Sequence, residues 1–140
     1  MTLNWPELNL LAVIVAGLAA FFLGAVWYTA IFGKLWVQLN GYTPEQIAAM
    51  QKARPPVVFF GSMLLAYWIM ATLMGFLCAW VKADSWMDGA CVGLVVWGIV
   101  QAIAVTTYIS GNKRIEVFVL DGAYQLCFLV MTGVILAAWK

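Results

Sequence analysis

The chain has 140 residues, a net charge of +1, 66% hydrophobic residues and 9% charged ones. A soluble domain carries about 25% charged residues, so the composition places this chain in a bilayer and excludes a basic nucleic-acid surface or an acidic tail. Histidine is absent, and Cys78, Cys91 and Cys127 lack the paired spacing of a disulfide framework or a zinc site, so neither a metal nor a cofactor is expected.

Met1 to Glu7 has no positive n-region, and the apolar run after it is too long for a signal peptide. It is read as the lead-in to an uncleaved first span. That span covers about 8–31. At 1.5 Å per residue, about 20 residues cross the hydrocarbon core. Ala16, Ala20 and Gly24 recur every fourth residue, a small-residue seam that admits a neighbouring helix. Trp27, Tyr28, Phe32 and Trp36 follow and read as an interfacial aromatic belt.

The longest loop comes next, about 33–56. Within it Thr43-Pro44-Glu45-Gln46 reads as an N-cap, a proline at the first helical position and a capping-box glutamine. A short interfacial helix is expected there, ended by Pro55-Pro56. The second span, about 57–81, carries the seam Ala71, Gly75, Ala79. It holds Tyr67 and Trp68 too deep for a belt, so these should face protein or a cavity. The third, about 89–109, opens on Gly89 and Gly93 and carries Gln101 near its midplane. The fourth, about 117–139, completes an all-α, integral membrane four-helix bundle, with residues 1–140 read as a single transmembrane domain.

The fourth span organises the rest. Asp121, Tyr124 and Gln125 stand at i, i+3 and i+4, on one helix face. A carboxylate inside a hydrophobic helix costs about 2.5–3.5 kcal/mol at the bilayer centre, so other helices must supply partners. Tyr28, Thr29, Ser62, Thr106 and Thr107 lie within a turn or two of the same membrane face. Lys34 and Arg114 lie at similar depth. Asp121 is therefore expected to be buried, with Tyr28, Thr106, Thr107, Lys34 and Arg114 as candidate partners. Such a cluster is either a pocket for an ion, a headgroup or a small solute, or a satisfied network that fixes helix register. The Gln101 side chain is expected to make an interhelical hydrogen bond.

Lysines and arginines near the span ends set orientation. Lys34, Lys52, Arg54, Lys113 and Arg114 lie on one side, and only Lys82 and Lys140 on the other. Five against two places both termini outside. The abundance of small-residue seams further leads to the expectation that Ala16-Ala20-Gly24 or Ala71-Gly75-Ala79 packs against another chain.

Several stretches carry a family likeness. They are Asn4-Trp5, then Gly24-Ala-Val-Trp27-Tyr28-Thr29 and Phe32-Gly33-Lys34-Leu-Trp36, then Asp121-Gly-Ala-Tyr124-Gln125, and last Gly133-Val-Ile-Leu on to Trp139. In order and spacing the chain resembles the bacterial domain of unknown function 1761 family, small proteins with four predicted spans. The resemblance implies a bacterial inner-membrane protein and makes the polar cluster a family feature. It supplies no activity. The family often has proline where Ala30 stands and histidine where Gln125 stands, so any role of that histidine is not available here.

Three functions follow from these residues. The first is a non-enzymatic accessory or structural subunit that packs against other membrane proteins or itself within the lipid bilayer. The second is a small-solute, ion or proton transporter or channel, working as an oligomer through the cluster around Asp121. The third is a membrane enzyme acting on a lipid or quinone. One intramembrane carboxylate without histidine is a thin set for catalysis, and no catalytic residue is assigned.

Overall fold

The computed structural model describes residues 4–140; Met1 to Leu3, the start of the lead-in, lie outside the described residues. The chain forms α1 (Leu10–Val26), α2 (Gly33–Asn40), α3 (Pro44–Ala53), α4 (Pro56–Trp80), α5 (Trp86–Ser110) and α6 (Ile115–Ala138), with no strand among the described residues. Four stretches are long and apolar enough to cross a membrane: Leu10–Ile31, Pro56–Trp80, Trp86–Ser110 and Ile115–Ala138, with mean hydropathy of 1.8 to 2.5. The protein is a multi-pass helical membrane protein.

Local chemistry sets the helix starts. The Asn9 side chain accepts from the Ala12 N–H at 3.1 Å and begins α1. Thr43 and Gln46 form the expected capping box of α3, with Pro44 in the first turn. Ser85 and Asp88 form a second capping box. It starts α5 at Trp86, ahead of the Gly89 expected from hydropathy, because the cap satisfies N–H groups that polarity alone assigned to a turn. The loop between spans one and two is mostly helical, since α2 precedes α3.

Between α1 and α2 the backbone makes a π turn, Trp27–Ile31, closed by the Phe32 N–H on the Trp27 carbonyl at 2.8 Å. A side chain at Gly33 would place its Cβ 2.9 Å from the Tyr28 carbonyl oxygen, so glycine allows the chain to leave this turn. The aromatic residues expected at the interface also pack on one another. Trp27 meets Phe32 at 4.7 Å between ring centroids, Tyr28 meets Trp36 at 6.0 Å and Trp36 meets Tyr42 at 5.5 Å. The rings fold α2 back over the end of α1, because ring edges and faces attract once water is excluded.

Three helices end in the same hydrogen-bonded hook with a residue at positive φ. Gly41 (φ 71°) ends α2, Lys82 (φ 55°) ends α4 and Asn112 (φ 50°) ends α5. In the second, the Ala83 N–H reaches the Cys78 carbonyl at 2.9 Å and the Lys82 N–H reaches Ala79 at 3.2 Å. Glycine and asparagine tolerate this conformation, whereas lysine pays a steric cost of about 1 kcal/mol. Lys82→Gly is therefore expected to stabilise the fold by about 1 kcal/mol, read as a higher melting temperature in micelles.

The helix α6 lies between the α1–α4 pair and α5 and touches all three. It holds nine buried residues against two on α5. The α5–α6 hairpin packs backbone to backbone through Gly89, Gly93 and Gly133. The two seams assigned to a partner chain are filled from within. Ala16, Ala20, Ala71 and Gly75 are buried, Ala79 is half-buried, and Gly24 makes room for the Tyr124 hydroxyl. Splayed helix pairs need small residues wherever they cross, and this chain has several such crossings.

At one end of the bundle, Trp5 packs on Phe76 and Trp80, and Lys140 pairs with Asp84. This is called the Lys140 end. The opposite end carries α2, α3 and the α5–α6 turn, and is called the Asp121 end.

Candidate functional site

Asp121 sits in the second turn of α6, and each of its carboxylate oxygens accepts a hydrogen bond from a different helix. The Tyr28 hydroxyl, presented by the π turn, donates to Oδ1 at 2.7 Å. The Tyr108 hydroxyl, from the last turns of α5, donates to Oδ2 at 2.5 Å. The carboxylate thus ties the ends of α1 and α5 to α6. The only salt bridges among the described residues are Arg114–Glu116 and Lys140–Asp84, so Asp121 has no ion-pair partner. Lys113 stands 5.4 Å from the centre of the Tyr108 ring, a cation over the outer rim of the cluster.

One turn further along α6, Tyr124 forms a second network. Its hydroxyl donates to the Ala20 carbonyl at 3.0 Å and pairs with the Tyr67 hydroxyl at 2.6 Å. Since Tyr124 gives its proton to the carbonyl, Tyr67 acts as donor in that pair. Tyr28 packs edge-on against Tyr124 with ring centroids 5.2 Å apart, so the two networks share an aromatic wall. On the α5 side, Trp97 Nε1 donates to the Gly122 carbonyl at 2.8 Å, and Gln101 Nε2 donates to Gln125 Oε1 at 2.6 Å. Gln101 therefore makes the expected interhelical bond.

The other candidate partners lie elsewhere. Thr106 donates to the Ile103 carbonyl at 2.8 Å and Thr29 to the Ala25 carbonyl at 2.5 Å. Ser62 likewise donates to Phe59 at 2.9 Å. Thr107 is exposed, and its carbonyl accepts from Ser110. Short hydroxyl side chains in helices satisfy themselves on the preceding turn, so they do not reach across a bundle. Arg114 is drawn to Glu116, two residues on, at 3.1 Å. Lys34 is exposed and lines an open cleft beside Tyr28, Gly33 and Gln38.

Tyr67, Trp97 and Tyr108 are network members not assigned as partners from sequence. A usable signal existed for Tyr108. Gly89, Gly93, Trp97, Gln101 and Tyr108 are spaced by four, four, four and seven, which is one helix face. That face meets α6. Tyr108→Phe is expected to cost about 1 kcal/mol, while Thr106→Val should be near neutral, as judged by unfolding in mixed micelles. Equal effects of the two would contradict the assignment of Tyr108 rather than a threonine.

Among the described residues two buried side-chain polar atoms lack a partner, Trp27 Nε1 and Thr132 Oγ1. Among the described residues no three histidine, cysteine, aspartate or glutamate side chains gather as a metal site. The arrangement is a set of hydroxyl, amide and carboxylate groups that cross-link four helices at one end of a membrane bundle.

Those features define a four-span helical membrane protein with an aspartate–tyrosine clasp at one end. The model of the family described as "Protein of unknown function (DUF1761)" matches residues 11–137, and the chain belongs to that family. No curated protein and no solved structure matches it.

Proposed function

We propose that the protein is a non-enzymatic accessory or structural subunit, one transmembrane domain that packs against other proteins of a bacterial inner membrane or against itself. The observation that carries this reading is the state of Asp121. Both oxygens are taken up by tyrosine hydroxyls, one from the π turn after α1 and one from α5, and among the described residues Asp121 makes no ion pair. A fully satisfied network holds helices in register rather than leaving a reactive group free. Further support comes from α4, which has no buried residue between Pro56 and Met70. Leu65, Ile69 and Leu73 run along it as an exposed apolar line, a surface for lipid or a neighbouring helix. Mild-detergent purification from the native membrane tests the reading. A stoichiometric protein partner or a stable homo-oligomer is expected. A chain that migrates alone as a monomer counts against it.

A second reading rests on a separate observation. Tyr108, Asp121 and Tyr28 form a continuous run of exchangeable protons that ends beside the Lys34 cleft. This suits an oligomeric proton, ion or small-solute transporter. Asp121→Asn in reconstituted vesicles separates the two. Loss of flux with normal folding favours transport, and no flux in either protein favours the subunit. For orientation, the five-to-two charge bias supports both termini outside, with the Asp121 end in the cytoplasm. A cytoplasmic signal from a C-terminal reporter fusion would overturn that.

A further inference from the structure

The Lys140 end carries a cavity that neither the Asp121 network nor helix packing accounts for. It encloses about 330 Å³ between the segment before α1, the end of α4 and the end of α6. That is within the range of small-ligand sites. Its walls are of two kinds. The deeper lining is apolar, with Val13, Gly75, Cys78 and Leu136. The rim carries two carboxylates and two ammonium groups: Glu7, Asp84, Lys82 and Lys140. Asp84 and Lys140 neutralise one another. Glu7 and Lys82 have no ion-pair partner among the described residues, which leaves one free anion and one free cation facing the same opening.

A second, independent observation concerns Lys82. It occupies the left-handed position of a helix-ending hook that the same chain fills elsewhere with glycine and asparagine. A lysine held in that strained conformation implies a use for its side chain. What that side chain borders is the cavity. The depth of the site is set by Trp5, Trp80 and Trp139 around this end, residues that favour the headgroup level.

We propose that this cavity binds the head and upper acyl chain of a zwitterionic aminophospholipid. The ligand's phosphate would meet Lys82, its primary ammonium Glu7, and its aliphatic carbons the apolar floor. A purely anionic head would leave Glu7 opposed by like charge, and a quaternary head would offer Glu7 no N–H to accept.

The test uses the purified full chain in maltoside micelles and lysophospholipids with one fluorescent acyl chain and three different heads. Anisotropy titration should show saturable binding of one ethanolamine-headed lipid per chain. The choline-headed and glycerol-headed forms should bind about tenfold more weakly, the equivalent of one charge-assisted hydrogen bond. Lys82→Gly should weaken ethanolamine-lipid binding about tenfold while raising the melting temperature. A merely structural lysine cannot produce that opposite pair of effects. Glu7→Gln should remove the preference among heads. Competition by the diacyl lipid in nanodiscs assigns the site to a bilayer lipid, and competition by the single-chain form alone assigns it to a lysolipid. Absence of saturable binding, equal affinity for the three heads, or unchanged affinity in Lys82→Gly overturns the proposal.

Discussion

Gly133→Ala should unfold or grossly destabilise the protein, with a loss of about 3 kcal/mol or more, since overpacking against rigid backbone exceeds the usual range for side-chain crowding. A Cβ at Gly133 would lie 2.1 Å from the Gly89 carbonyl oxygen. The reciprocal Cβ at Gly89 would lie 2.2 Å from the Gly133 carbonyl oxygen, and one at Gly93 would lie 2.5 Å from the Leu129 carbonyl oxygen. Side chains can swing aside, but a carbonyl in a helix moves only with its helix. The α5–α6 hairpin would have to separate along half its length, and its polar contacts at Gly122, Gln125 and Asp121 would be strained with it. Gly98 is the internal control, because a Cβ there meets nothing within 4 Å. Gly98→Ala should leave unfolding in mixed micelles within about 0.5 kcal/mol of the parent. Similar stability of Gly98→Ala and Gly133→Ala would contradict the close crossing.

Asp121→Leu should cost about 2–4 kcal/mol, because it leaves two half-buried tyrosine hydroxyls without their acceptor. The carboxylate joins the π turn after α1 and the end of α5 to α6, so the effect should spread beyond one contact. Asp121→Asn keeps the shape and one carbonyl acceptor. Its amide nitrogen cannot accept, so one of the tyrosine bonds is lost, and about 1 kcal/mol is expected. A double-mutant cycle with Tyr28→Phe and Tyr108→Phe apportions the loss. Additive effects within about 0.5 kcal/mol would show that the three groups do not act as a unit.

Hydropathy and length made the four spans legible, because a helix that crosses a bilayer must be apolar for about 20 residues whatever it packs against. The capping box at Thr43 was open to reading, since a cap acts within four residues, whereas the Ser85 box, with aspartate in place of the usual glutamate or glutamine, was not. The importance of the fourth span was also legible. An aspartate in such a helix demands partners, and α6 proves to touch all three other spans and to hold more buried residues than any of them.

The partners themselves were decided by tertiary structure. Depth in the membrane put Thr106, Thr107 and Tyr108 on equal terms, but a helix turns about 100° per residue. Only Tyr108 faces α6, and its length spans the gap that a threonine leaves to its own backbone. Likewise Tyr28 reaches Asp121 from a π turn, a local shift in register that no residue in Trp27–Ile31 announces. The small-residue seams show the same division. Composition determined that helices would approach closely at alanine and glycine, because only small side chains permit it. Which helix arrives at each seam depends on how all four are arranged in space, and here each seam is met by a helix of the same chain.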